Sequence, residues 1–323
     1  MKLARKLFFP LCLLVASVGL AAAQTYPTKP VRLIVPFAPG GAVDIAGRIM
    51  AQALTTALHQ SFIVENRPGV GGLLALDAVA KSAPDGYTLA VGAAGPLTIS
   101  PSLYKDRGFD PLTQLAPVIW FASTPGVLVV KTGLQATNLK ELLALSKSTS
   151  AGLNMASAGS GSINHLMGEY FQSQAGVKWV HIPYKGSSPA LTDLMGGGVD
   201  VMMDLVPTAT PYVKAGKLRA IAVTTTKRSR QLPEVPTLQE LGYKDFNVSS
   251  WLSLLAPKGT SPEIVAKLNT ALNTALKSPE MQERLAAIGA EPEGGTPERV
   301  AQQVRVEMPR WAEIIRTSGA KPE

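Results

Sequence analysis

Short apolar runs rich in β-branched residues alternate with stretches whose apolar positions recur every three to four residues. This alternation organises the chain from residue 31 onward. Residues 31–37 read as a strand. Residues 44–58 read as a helix, with Ile45, Ile49, Ala53 and Leu54 on one face. Strands at 61–65 and 88–92 flank a helix at 73–81, which makes a βαβαβ unit, half of a doubly wound sheet. The pattern then restarts: strand 127–130, helix 138–148, strand 153–157, helix 163–174, strand 179–183, helix 189–195, strand 199–205, helix 208–215 and strand 218–224. The last third is mostly helical, at 262–276, 279–288 and 297–316. Each of these helices opens on a proline, which suits a first turn because an N–H there has no intrahelical acceptor.

Two α/β units followed by helices with too few strands for a third predict that the chain returns to complete its first unit. The expected fold class is α/β, with two doubly wound lobes joined by crossover strands near 121–126 and 223–227. Lobe 1 then comprises 24–124 plus 224–323, and lobe 2 comprises 125–223. Ligands of open α/β sheets bind outside the carboxyl ends of the strands, so a cleft between facing lobes is the expected site.

The first 23 residues follow another pattern. Lys2, Arg5 and Lys6 precede an apolar run at 7–20, interrupted by Pro10, and Ala21-Ala22-Ala23 follow. A charged start, a short apolar core and small residues at the end make a secretory signal peptide, with cleavage expected after Ala23. Cys12, the chain's single cysteine, lies inside it behind Leu11 rather than a small residue, so neither a lipid anchor nor a disulfide is expected. The net charge of +8 falls to +5 once the three charges of the signal are removed. The remaining Lys and Arg are scattered, with 227–230 their one tight cluster, so a nucleic-acid partner is not expected.

Four strand-to-helix loops carry the candidate chemistry. The first contains Phe37, Ala38, Pro39, Gly40 and Gly41, and its glycines admit close backbone approach before a helix N-terminus, which suits a carboxylate. Asp44 reads as the N-cap of that helix. The second offers Ala93, Ala94 and Gly95 before Pro96. The third runs Ser157-Ala-Gly159-Ser160-Gly161-Ser162, with His165 one turn on, and is the best anion site in the sequence. The fourth pairs Tyr184 and Lys185 with Asp204. That aspartate either orients a water or a backbone N–H, binds an amine, or merely starts a helix.

The pieces of an active site are missing. No Gly-x-Ser-x-Gly elbow surrounds Ser160, and a Ser160–His165 pair has no local acid to orient it. His59, His165 and His181 are far apart in sequence without cysteines, so no metal is expected. Asn164 stands where a dinucleotide fingerprint needs Gly or Ala, and no cofactor is expected.

A set of short segments, in order along the whole mature chain, resembles the Bug family, the TctC-like solute receptors of tripartite tricarboxylate transporters. They are 26–30, 35–41 with Asp44, 64–69 with Gly71-Gly72, 83–88, 157–161 with His165, 181–186, 216–220, 232–237 and 294–297. The resemblance implies a periplasmic receptor of the two-lobed, type II Venus-flytrap kind, not an enzyme, and expected to be a monomer. It implies a small mono-, di- or tricarboxylate held by backbone N–H groups, hydroxyls and waters, and delivery to the membrane subunits of a transporter. One end of the ligand would meet Phe37–Gly41 and Ala93–Pro96, and the other would face Ser157–Ser162 with His165; Asp204 matches an acidic position of the cleft. The alternatives are a receptor that signals to a membrane sensor kinase and an exported hydrolase using Ser160 or Ser162.

Overall fold

The computed structural model describes residues 26–150 and 152–322. The expected signal peptide and cleavage site, with Cys12, lie outside the described residues. The fold is the two-lobed α/β architecture expected from the sequence.

The first lobe opens with β1 (Val31–Val35), α1 (Ala42–Leu58), β2 (Phe62–Asn66), α2 (Leu73–Ala80) and β3 (Thr88–Ala93), in which β1 pairs parallel with both β2 and β3. A π-helical turn at Gly95–Ile99 and two short helices, α3 (Ser100–Leu103) and α4 (Pro111–Gln114), lead into β4 (Leu115–Lys131). The second lobe follows: α5 (Leu139–Ser148), β5 (Leu153–Ser157), α6 (Ile163–Ala175), β6 (Trp179–Pro183), α7 (Ser187–Gly196), β7 (Val201–Leu205), α8 (Val206–Lys214) and β8 (Leu218–Val223). The chain then returns through β9 (Ser249–Pro257), α9 (Pro262–Leu276), α10 (Pro279–Ala287), β10 (Glu291–Pro292) and α11 (Pro297–Ser318).

One strand runs through both lobes. β4 pairs antiparallel with β9 from Leu115 to Pro125, then with β7 from Gly126 and β8 from Val127. The strand order β2-β1-β3-β9-β4-β7-β5-β6 is therefore one path, with the change of lobe inside β4. The sequence pattern shows only the end of this strand, at 127–130, because Pro117, Pro125 and Gly126 read as breakers; the register shifts between Pro117 and Ile119 and again between Trp120 and Ala122. β9 is unmarked in the pattern for another reason. Ser250 and Ser253 interrupt its apolar run, yet both are fully buried.

The second crossing, after β8, is fastened to the first. Gly126 N–H donates to Thr224 Oγ1 at 2.9 Å, and that hydroxyl donates to the Val248 carbonyl at 2.5 Å. Thr224 N–H returns a bond to the Gly126 carbonyl, and Val248 N–H donates to the Thr224 carbonyl. Only glycine fits at 126, since a Cβ there would sit 2.6 Å from Thr224 Oγ1 and 2.8 Å from Met167 Sδ. The apolar face of α11, with Val300, Val304, Trp311 and Ile314 buried, lies against β4 and against α6 of the other lobe. Thr224→Val keeps the shape but leaves a buried N–H and a buried carbonyl unpaired, at about 1–3 kcal/mol each. It is expected to lower the unfolding free energy by about 2–6 kcal/mol, read as a lower urea midpoint at an unchanged m-value.

Candidate functional site

The loops at the carboxyl ends of the strands meet at one cavity between the lobes. Phe37, Gly41, Ala93, Gly95 and Pro96 wall it from the first lobe, and Ala158, Ile163, Asn164, Ser187 and Leu205 from the second; Ser250 of β9 completes it. The enclosed space is about 20 Å³, room for about one water. Among the described residues no charged side chain lines it.

Four helices start on this cavity. Gly41, Ala42 and Val43 are the N-cap and first turn of α1, Ile163 and Asn164 open α6, Ser187 opens α7, and Leu205 is the N-cap of α8. The first-turn N–H groups of a helix have no intrahelical acceptor and carry the positive end of its dipole. Side-chain caps are lacking at α1, α7 and α8, whereas Ser162 caps α6 by accepting from His165 N–H at 3.2 Å. Away from the cavity, α5, α9 and α10 are capped by Asn138, Ser261 and Ser278, while α2 and α11 start without a side-chain cap. Asp44 is not the N-cap of α1. Gly41 is, and Asp44 lies in the first turn, where its carboxylate accepts from Gly40 N–H at 2.9 Å, Arg48 Nε at 2.9 Å and Asn66 Nδ2 at 2.8 Å.

The lobes touch around the cavity. Ala38 N–H donates to the Lys185 carbonyl at 3.2 Å, and Ser188 Oγ to the Pro39 carbonyl at 3.0 Å. Ser100 Oγ lies 3.0 Å from the carbonyl oxygens of both Gly71 and Gly161, and its one proton serves one of them at a time. The Tyr104 hydroxyl donates to the Ser160 carbonyl at 3.2 Å. Gly95 packs so closely that a Cβ would lie 2.8 Å from Ile163 N and 3.0 Å from the Gly161 carbonyl oxygen.

Of the candidate residues named from sequence, Phe37, Gly41, Ala93 and Gly95 wall the cavity. Ala38, Pro39, Gly161 and Lys185 contribute backbone groups to the contact between lobes. Ala94 is buried, its carbonyl accepting from Thr98 Oγ1. The Tyr184 hydroxyl turns to the Asp193 carboxylate. Ser157 Oγ pairs with His181 Nε2 at 2.6 Å and accepts from Gly159 N–H at 3.1 Å. Asn164, Ser187 and Ser250 are cavity residues that the sequence reading passed over. Asn164 precedes His165 in the first turn of α6 and Ser187 starts α7 just after Lys185, so adjacency to the candidate loops is a usable signal for both; Ser250 offers none, because its strand is unmarked in the pattern.

Asp204 lies behind the cavity wall, fully buried. Its Oδ1 accepts from Ser187 Oγ at 2.7 Å and Asn164 Nδ2 at 2.9 Å, and its Oδ2 from Thr208 Oγ1 at 2.8 Å. Burial raises its pKa, against the pull of these bonds and of the Leu205 N–H. The carboxyl thus ties the starts of α6, α7 and α8 together and holds two of the cavity's polar side chains.

Ser160 and His165 open on a different place, a surface depression of about 400 Å³ shared with Glu169, His181, Pro183 and residues 318–322. The two imidazoles stack at 3.8 Å between centroids and 7° between planes. His165 Nδ1 accepts from Gly161 N–H at 3.3 Å, so its proton sits on Nε2, 3.7 Å from Glu169 Oε1. Burial, and for His165 also the neighbouring His181, holds the two pKa values down to about 3 and about 4, against 6.5 for a free imidazole. The unfolded chain therefore takes up protons below pH 6.5 that the folded protein refuses until about pH 4 and below. Stability from this pair is complete above pH 6.5 and declines as pH falls from 6.5 through about 4, where His181 titrates, to about 3, where His165 does. Glu169 and Asp204, with pKa values raised by burial, oppose the trend. The urea midpoint is expected to fall across this window, and His181→Gln to flatten the slope; an unchanged slope would remove the pair as its source.

The family model for the tripartite tricarboxylate transporter family receptor, TctC, matches residues 46–320. The Bordetella pertussis protein BugT is 40% identical over 311 residues, 95% of each chain. An R. palustris protein solved with adipate superposes with a TM-score of 0.89 at 38% identity, over 92% of this chain and 100% of that one. MatC from Rhodopseudomonas palustris, with bound malate, gives 0.86 at 34% identity, over 90% and 100%. A helix-lined cavity between two lobes, a family model spanning most of the chain and a relative matched end to end agree: this chain belongs to the TctC family of tripartite tricarboxylate transporter receptors, the Bug proteins.

Proposed function

We propose that this protein is a periplasmic receptor that captures a small di- or tricarboxylate between its lobes and delivers it to the membrane subunits of a tripartite tricarboxylate transporter. The observation that carries this reading is the convergence of four helix N-termini, from both lobes, on one enclosed cavity without a charged side chain. Each such terminus favours an anion by about 0.3–1 kcal/mol at an exposed site and up to ~2 kcal/mol when partly buried. Helices on both sides suit a ligand with a carboxylate at each end. The lobes, 24–124 with 224–323 and 125–223, close about the paired crossings at Gly126 and Thr224. A ligand that touches both favours the closed form by its differential affinity for it. The adipate and malate held by two of the relatives support a carboxylate here. Export by the signal peptide places the receptor outside the cytoplasm, and catalysis and cofactors have no part in this reading.

Two measurements test it. Calorimetric titration of the mature chain from Gln24, unfolded and refolded beforehand, with citrate and C4 to C6 dicarboxylates is expected to give micromolar binding for at least one acid. Heat from none of them would overturn the carboxylate assignment. Gly95→Ala leaves lobe 1 unstrained but places a methyl against the backbone of Ile163 and Gly161. It is expected to keep the thermal midpoint while weakening that acid by about tenfold or more and enlarging the radius of gyration in its presence.

A further inference from the structure

Among the described residues four buried side-chain polar atoms have no hydrogen-bond partner: Thr210 Oγ1, Ser250 Oγ, Ser253 Oγ and Trp311 Nε1. Of these residues Ser250 alone lines the cavity between the lobes. It is fully buried. Buried hydroxyls nearly always have a partner, and one that lacks it at a cavity wall points to a polar group that arrives with a ligand.

Its place in the fold says which part of the ligand. Ser250 pairs across the sheet with Thr124, and lies two residues from Val248, where the second crossing is fastened to Thr224. It belongs to a strand at the lobe junction, whereas the helix N-termini that suit carboxylates start in the lobes themselves, α1 on one side and α6, α7 and α8 on the other. A serine hydroxyl both donates and accepts, and so does a ligand hydroxyl, which can therefore pair with it in either direction, whereas a carboxylate offers acceptors alone.

Resting on the receptor reading, we propose that Ser250 determines specificity by recognising a hydroxyl on the carbon chain between the ligand's carboxylates, and that the preferred ligands are hydroxydicarboxylates. A site with a buried hydroxyl to satisfy discriminates against the analogue that leaves it unpaired.

The test compares acids that differ by one hydroxyl, by calorimetry on the refolded mature chain: malate against succinate, 2-hydroxyglutarate against glutarate, and 2-hydroxyadipate against adipate. At whichever chain length binds, the hydroxylated acid is expected to bind about tenfold or more tightly. Ser250→Ala is expected to abolish that preference, bringing the hydroxylated and the plain acid to within about twofold of each other, an outcome that general damage to the site would not produce, since damage lowers both alike. Equal affinities within a pair in the wild-type protein overturn the inference and leave the receptor reading standing, and this comparison needs no variant to fold. A preference that survives Ser250→Ala assigns the discrimination to another residue and likewise overturns it. Binding of no acid in either class removes the receptor reading and this inference with it.

Discussion

Two chain crossings share one hydroxyl. Thr224 Oγ1 accepts from the Gly126 N–H of the first crossing and donates to the Val248 carbonyl of the second. Because Gly126 is where β4 exchanges β9 for β7 and β8, this bond sits where the pairing changes from one lobe's strands to the other's. A bend there moves one lobe against the other without breaking a strand pair in either. The threonine fixes how the crossings lie together, so that rotation is shared between them.

The cavity makes its polarity from backbone. Anions are commonly held by arginine, whose guanidinium brings charge and two parallel donors. Helix starts rather than arginines line this cavity, and Asp204 behind them bonds to Ser187, Asn164 and Thr208. A fully charged carboxylate so near would repel an anionic ligand. Burial acts against that charge, while the hydroxyls of Ser187 and Thr208 and the Asn164 amide turn their positive ends toward Asp204. The carboxyl braces three helix starts.

Most of the architecture was legible because apolar periodicity survives wherever an element has one buried face. The strands 153–157 and 179–183 were read with the bounds that the structure gives, and α9 likewise. What escaped lies at the lobe junction. β4 contains Pro117 at a register shift and Pro125 near its change of partner, and β9 buries serines that periodicity counts as polar. The site was legible to the same degree. Loops opening on helices were found from glycine and serine, but sequence spacing could not say which side of a loop faces inward. His165 is one turn into α6 and looks like a cavity residue on paper; in the fold the adjacent Asn164 takes the cavity and His165 turns to stack on His181.

The named hydrogen bonds between the lobes are individually weak. The bonds named across it, from Ala38, Ser188, Ser100 and Tyr104, all join neutral groups to backbone carbonyls. Each contributes about 0.5–1.5 kcal/mol net, because water offers nearly the same bonds to the open form. Four of them amount to about 2–6 kcal/mol before the entropy of fixing the lobes is charged against them. Moving a two-state equilibrium from 1:99 to 99:1 takes about 5.5 kcal/mol. The contact is therefore of the size that a ligand's differential binding can overrule. Salt bridges across the same interface would have tightened closure and slowed release. Glycines at 71 and 95, with neighbours from the opposite lobe within 3 Å of where a Cβ would stand, let the backbones meet closely instead. The contact between the lobes thus depends on shape, with backbone against backbone at both glycines.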